Sequence, residues 1–186
     1  MRWHRRRGLL PEYLELCADI GFDGIECGAG FTDPGMTPAE VVRMPSKVGL
    51  AVEYEVGKKH GGEFDPESLA ERLDEGRRWL DAGAHRLIDE ARERATGVGL
   101  FAATGKLNVE LAQRIVDAFG LERIVFEAPS KSSQCARLDH FVPTILLASV
   151  PLAGRLRVET YRRGLHSYAF AKANLRPAAR TAPTAR

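Results

Sequence analysis

Four glutamates are spaced so that they could act together. Glu26, Glu55, Glu90 and Glu127 each follow a glycine, Gly21, Gly49, Gly83 and Gly120, by five to seven residues. Basic residues sit close by: Lys58 and Lys59 after Glu55, Arg92 after Glu90, and Lys131 after Glu127. Carboxylates gathered in this way suit a hard, oxygen-seeking cation such as Mg²⁺, with Glu55, Glu90 and Glu127 as its expected ligands. Lysine and arginine beside them suit phosphate or carboxylate groups. The pattern points to a small, multiply anionic ligand. The same residues could instead form ion pairs that only cap the ends of structural elements, and the pattern alone leaves both alternatives open.

For these glutamates to converge, the elements carrying them must alternate. Leu9, Leu10, Tyr13, Leu14, Leu16, Cys17 and Ile20 fall mostly three or four apart, the stripe of an amphipathic helix. Gly21 stops that helix, and Gly49, Gly83 and Gly120 are positioned to stop three more. The spacing predicts helices over residues 9–20, 38–48, 66–82, 108–119, 132–141 and 151–165. Short strands are expected over 23–27, 50–56, 86–91, 123–128 and 144–150. Strands that alternate with helices must pair in parallel, since each helix carries the chain back to the same starting edge.

A doubly wound sheet and a barrel both satisfy that alternation. In either, sites form at the carboxyl ends of the strands. A dinucleotide fingerprint is absent, because Gly97-Val98-Gly99 lacks a third glycine and opens no helix. The expected class is α/β, a partial (β/α)₈ TIM barrel with about five parallel strands. Within the strands, period-two alternation places Glu53 and Glu55 on one face, Ile88, Glu90 and Arg92 on one face, and Val125 with Glu127.

Bulk properties narrow the function classes. Lys and Arg number 27 against 25 Asp and Glu, and much of the excess lies in Arg2, Arg5, Arg6, Arg7 and in Arg176, Arg180, Arg186. The near-neutral middle gives no nucleic-acid footprint. No apolar run is long enough to span a membrane, and a cytoplasmic protein is expected. Cys17, Cys27 and Cys135 form no C-x-x-C pair, and Cys27 is expected to be a buried structural thiol. The five histidines show no ligand spacing. Residues 57–63, Gly-Lys-Lys-His-Gly-Gly-Glu, read either as a lid over an anion or as a solvated loop.

Several stretches, in order, resemble the phosphosulfolactate synthase family of coenzyme M biosynthesis and its plant heat-stress-associated relatives. They are Glu12-Tyr-Leu-Glu-Leu-Cys17 with Gly21-Phe-Asp-Gly-Ile-Glu26, Glu55-Val-Gly-Lys-Lys59, Glu90-Ala-Arg-Glu93 with Gly97-Val-Gly99, Phe126-Glu-Ala-Pro-Ser-Lys131 with Gln134, and Glu159-Thr-Tyr-Arg-Arg-Gly-Leu165. The resemblance implies a (β/α)₈ barrel and a Mg²⁺-dependent lyase that adds sulfite to phosphoenolpyruvate. It implies Lys58, Glu55 and Glu90 in the chemistry, with Lys58 as proton donor. Lys59, Arg92, Lys131 and Gln134 are implied in substrate binding.

On the family pattern the chain begins near the helix before the fourth strand. A barrel needs about 250 residues and this chain has 186, so the first three βα units are expected to be missing. Residues 1–8 read as a basic segment, 9–168 as the partial barrel and 169–186 as a disordered Ala/Arg/Pro-rich tail. Three departures bear on activity: Leu146-Leu-Ala-Ser149 stands where the family has an Asn-Leu-Gly-Asn type run, Glu26-Cys-Gly-Ala-Gly30 where it has Glu-Ile-Ser-Asp-Gly, and His166-Ser-Tyr-Ala169 where it has an Arg-Gly-Asp-Thr ending. The alternative is a catalytically inactive truncated homologue acting through protein contacts. Open sheet edges also make a homo-oligomer an expected partner arrangement.

Overall fold

The computed structural model describes residues 8–28, 36–57 and 62–167. Residues 1–7 of the expected basic segment (1–8), the whole of the expected tail (169–186), and Lys58 and Lys59 lie outside the described residues.

Helices and strands alternate as the periodicity predicts. They run α1 (Leu10–Ile20), β1 (Gly24–Gly28), α2 (Pro38–Ser46), β2 (Ala51–Val56), α3 (Pro66–Asp81), β3 (Arg86–Asp89), α4 (Val109–Phe119), β4 (Ile124–Glu127), α5 (Lys131–His140), β5 (Leu146–Ala148) and α6 (Arg155–Arg162). The four helix-ending glycines, Gly21, Gly49, Gly83 and Gly120, all adopt positive φ, between 81° and 100°, a region open to glycine at little steric cost. At the other ends, capping boxes start α2 (Thr37 with Glu40), α3 (Asp65 with Ser68) and α5 (Ser130 with Ser133).

Among the described residues the five strands pair in parallel, and their order is β1-β2-β3-β4-β5, the order of the sequence. A doubly wound sheet reverses its order at a switch point, where ligands bind. This sheet has no reversal. The architecture is therefore a partial (β/α)₈ barrel, which decides between the two layouts that periodicity could not separate.

Register sorts the two faces. Cys27, Tyr54, Leu87 and Ile124 are linked by the register as one row, with Val56, Asp89, Phe126 and Leu147 one step further on. This is the face toward the helices, and its apolar members join the main core with Leu69, Leu73 and Trp79 of α3 and Leu111 and Ile115 of α4. Tyr54 stacks on Trp79 with ring centroids 3.7 Å apart and donates its hydroxyl to Glu75 at 2.8 Å. The opposite face carries Glu53, Glu55, Arg86, Ile88, Val125 and Glu127. Glu53 and Arg86 pair there at 3.2 Å.

One charged pair interrupts the helix-facing layer. Arg137 of α5 is 0% exposed and donates to Asp89, the last residue of β3. Its guanidinium lies over the rings of Phe126 (4.2 Å to the centroid) and Phe101 (4.9 Å). Burial, the larger cause, pushes the Asp89 carboxyl up, against the opposing pull of Arg137. Arg137 itself stays cationic, because a guanidinium gives up its proton only far above neutral pH.

A buried ion pair loses hydration energy roughly comparable to what its attraction returns, whereas a buried charge stripped of its partner is strongly destabilising. Asp89→Leu alone is therefore expected to cost about 3–5 kcal/mol in a denaturant melt. Asp89→Leu combined with Arg137→Met should restore stability to within about 1 kcal/mol of the parent. A double variant no better than the single one would contradict this account.

Candidate functional site

The glutamates of the opposite face meet at the carboxyl ends of the strands. There they line an open cleft of about 970 Å³ that holds Glu26, Glu55, Glu90, Arg92, Glu127 and Ser149, with Glu93, Arg94 and Thr96 at its side. Each glutamate comes from a different βα unit, so parallel register alone brings them to one end of the sheet. Glu55 is 4% exposed and sits against Gly28, its register partner in β1. A Cβ on Gly28 would lie 3.1 Å from Glu55 Oε2, so any larger residue would press on that carboxylate.

The carboxylates are linked to one another. Glu90 lies within hydrogen-bonding reach of both Glu55 and Glu127. Burial is the main cause that pushes the Glu90 carboxyl above the usual range, and the bond to Glu55 adds to it. Burial also raises Glu127, opposed by the Ala91 backbone N–H, which donates to Glu127 Oε2 at 2.9 Å. The Ser149 hydroxyl donates to Glu127 Oε1 at 2.7 Å, and the Arg92 backbone N–H donates to Glu90 Oε1 at 2.6 Å.

These contacts explain where two expected strands stop short. β3 was expected to reach Ala91 and ends at Asp89, because the Ala91 N–H turns to the Glu127 carboxylate instead of a ladder carbonyl. β5 was expected over 144–150 and holds only Leu146–Ala148, because Ser149 adopts φ 55°, which no strand accommodates. Arg92 and Ala95 share that left-handed conformation, both at φ 54°. All three line the cleft.

Of the residues singled out in the sequence, Glu55, Glu90, Glu127 and Arg92 are thus brought together, and Glu26 joins them. Lys131 is the exposed first residue of α5, two positions beyond Pro129 of the cleft lining, and is not itself in the lining. Gln134 is not in the cleft lining. It is 1% exposed, its Nε2 donates to the Ala128 carbonyl, and its Oε1 accepts from Arg157 Nη2, each at 2.9 Å. Both ends of the amide are used in tying α5 to the end of β4 and to α6. Of residues 57–63, Gly62 and Glu63 are tied to the β3–α4 connection: Gly99 N–H donates to the Gly62 carbonyl at 2.9 Å, and Ala103 N–H to Glu63 Oε1 at 2.6 Å.

Cys27 is 1% exposed, and burial pushes its thiol up to about 12, as suits an inert structural cysteine. Among the described residues, no three His, Cys, Asp or Glu side chains form a ready-made metal cage, and no helix is long and apolar enough to cross a membrane. Sequence reasoning missed Ser149, Asp89 and Arg137. Asp89 did carry a signal, since alternation puts it opposite Glu90, on the face toward the helices, where a charge demands a partner.

Fold and site together define a (β/α)-barrel protein with a carboxylate-rich cleft at the strand ends. The family model for (2R)-phospho-3-sulfolactate synthase (ComA) matches residues 4–168, and the chain belongs to this family. It is 30% identical over 167 residues to the phosphosulfolactate synthase of Methanocaldococcus jannaschii, covering 89% of this chain and 66% of that protein. The phosphosulfolactate synthase of Methanothermobacter thermautotrophicus is 29% identical over 172 residues, covering 89% and 65%, and that of Bacillus subtilis is 32% identical over 162, covering 86% and 63%. The chain spans just under two thirds of the length of these relatives.

The raised carboxyls have a consequence for stability. A group whose folded-state pKa exceeds its unfolded value contributes stability that is present below the unfolded value and is lost as pH rises through the folded one. For glutamate the unfolded value is about 4.3. Without divalent metal, the wild-type melting temperature should therefore fall relative to Glu90→Gln as pH rises from about 4.3 through the raised range. Parallel pH profiles for the two proteins would contradict the raised Glu90 carboxyl.

Proposed function

We propose that this chain is a phosphosulfolactate synthase-type lyase of the cytoplasm that adds sulfite to phosphoenolpyruvate with the help of Mg²⁺. The observation that carries this reading is the convergence of Glu55, Glu90, Glu127 and Arg92 in one cleft, in a chain of this family.

The donor set fits the metal. The cleft offers carboxylate oxygens, and burial and mutual contact make Glu90 and Glu127 hold protons more tightly than usual. That crowding of negative charge is what a divalent cation relieves. Mg²⁺ is commonly held by one or two carboxylates while keeping several waters, so a ready-made cage is not needed. Glu55, Glu90 and Glu127 would hold it, and a bound Mg²⁺ would supply charge stabilisation for the substrate carboxylate.

The remaining steps fall to the chain's own side chains. The sulfur lone pair of sulfite attacks the methylene carbon of phosphoenolpyruvate, and the π electrons move onto the carboxylate to give an enediolate-like species. Protonation at the neighbouring carbon then yields phosphosulfolactate. Arg92, at the cleft wall, binds an anionic group of the substrate. Lys59 and Lys131 add positive charge that draws the phosphate in. Lys58, two residues past the end of β2, supplies the proton.

Purified protein should consume phosphoenolpyruvate only when sulfite and Mg²⁺ are both present. Lys58→Ala should lower turnover by about 10²–10⁴-fold. Consumption independent of sulfite would refute the reaction, and unchanged turnover in Lys58→Ala would refute that residue's role.

A second reading, a non-catalytic homologue acting through protein contacts or self-association, is favoured by the sheet edges. Among the described residues β1 pairs only with β2 and β5 only with β4. Exposed apolar residues flank both: Leu16, Ile20 and Phe22 near β1, and Leu152 and Leu156 near β5. On this reading the protein sediments as an oligomer and shows no sulfite-dependent turnover. A monomer at micromolar concentration that turns over substrate excludes it.

A further inference from the structure

Among the described residues only Arg92, Ala95 and Ser149 are non-glycine residues at positive φ, and all three line the cleft. Two of them donate to the central carboxylates: Arg92 through its backbone N–H to Glu90 Oε1 at 2.6 Å, and Ser149 through its hydroxyl to Glu127 Oε1 at 2.7 Å. The left-handed backbone at Ser149 is what brings its hydroxyl round. Ala148, immediately before Ser149, is paired with Glu127 across the β4–β5 register, and its carbonyl accepts the Ala128 N–H at 2.9 Å. A chain continuing as strand beyond Ala148 would send the next side chain to the other face; the turn at Ser149 brings its hydroxyl to the Glu127 carboxylate.

We infer that Ser149 is a positioning residue for the cleft: its strained conformation aims a hydroxyl that, with the Ala91 N–H on the other oxygen, fixes the orientation of the Glu127 carboxylate toward the ligand. This rests on the proposed lyase reading for what the carboxylate does, but not for how it is held. Beside its contact with Glu90, Glu127 accepts from Ser149 on Oε1 and from Ala91 on Oε2. Removing one frees the carboxylate to rotate about its last side-chain bond. Strain of this kind persists only where the surroundings enforce it, and it concentrates at functional sites.

The test separates the hydroxyl from the backbone. Ser149→Gly removes the donor and also relieves the left-handed strain, so it should melt within about 3 °C of the parent or above it. Ser149→Ala removes the donor and keeps the strain. Ser149→Asn offers an amide donor and tolerates the left-handed region. In titration calorimetry, Gly and Ala should weaken Mg²⁺ binding about tenfold or more, as loss of a hydrogen bond to a charged group does. They should lower turnover to a similar degree, and Asn should stay within about threefold of the parent.

Parent-like Mg²⁺ affinity and turnover in both Gly and Ala would overturn the inference, as would an Asn variant as impaired as Gly. A parent that binds no Mg²⁺ and turns over nothing would instead refute the lyase reading. The positioning role is then read from the Ala91 amide, which the same carboxylate holds. Its hydrogen exchange should quicken about tenfold in Gly and Ala but not in Asn, matching the loss of about 1.4 kcal/mol. Equal exchange rates in all four proteins would overturn it.

Discussion

Glu90 stands between Glu55 and Glu127 within hydrogen-bonding reach of both, and three carboxylates that close cannot all be charged without compensation. Much of the local structure can be read as that compensation. The register of β2, β3 and β4 forces the crowding, since it aligns the ends of neighbouring strands. Two backbone N–H groups and a hydroxyl are then turned onto the carboxylate oxygens, and they come from the residues where the ladder breaks, Ala91, Arg92 and Ser149. The shortness of β3 and β5 thus follows from the chemistry of the cleft. Extended strands would use those N–H groups in the sheet and leave Glu90 and Glu127 to water.

The other face of the sheet carries the Asp89–Arg137 pair directly behind these glutamates. Asp89 precedes Glu90, and Phe126, beneath the Arg137 guanidinium, precedes Glu127. Burial lowers Arg137 and raises Asp89, and the nearby Glu127 charge opposes the first shift and adds to the second. Its weight in stability is small when intact and large when broken, because the cost of burying each charge is met only by the other. Such a pair makes the packing of α5 on β3 specific. An apolar contact would tolerate a shifted helix, whereas Arg137 must reach Asp89 and cover Phe126 and Phe101 together.

Much of this was legible in the sequence. The glycine-to-glutamate spacing located the helix ends, the strands and four residues of the cleft, because each signal is local: a stop, then a few residues of strand, then a charge at its end. The contributions of Ser149 and Arg137 were not legible, because they depend on pairings across the fold. Arg137 finds Asp89 48 residues away, and Ser149 finds Glu127 at a distance of 22. The placement of Gln134 was hidden for a related reason. It sits in a motif beside Lys131, but the turn of α5 carries it inward, where Ala128 and Arg157 use both ends of its amide. Sequence order could not separate the outward from the inward member of that motif.

Assembly from successive units explains how a cleft can exist on five strands. In a doubly wound sheet the binding crevice needs the strands on both sides of a topological reversal. Here each βα unit delivers one side chain to a common rim, so Glu26, Glu55, Glu90 and Glu127 stand in the order of the chain, and each depends mainly on its immediate neighbours. Glu90, in the third unit, is held by groups of the second, third and fourth. Its surroundings are therefore complete within β2–β4, three strands from the middle of the sheet, whereas Glu26 lies on edge strand β1 and Ser149 just after edge strand β5. The edges are where this arrangement is most sensitive, and at the β5 edge the carboxylate network depends on one hydroxyl held in a strained turn.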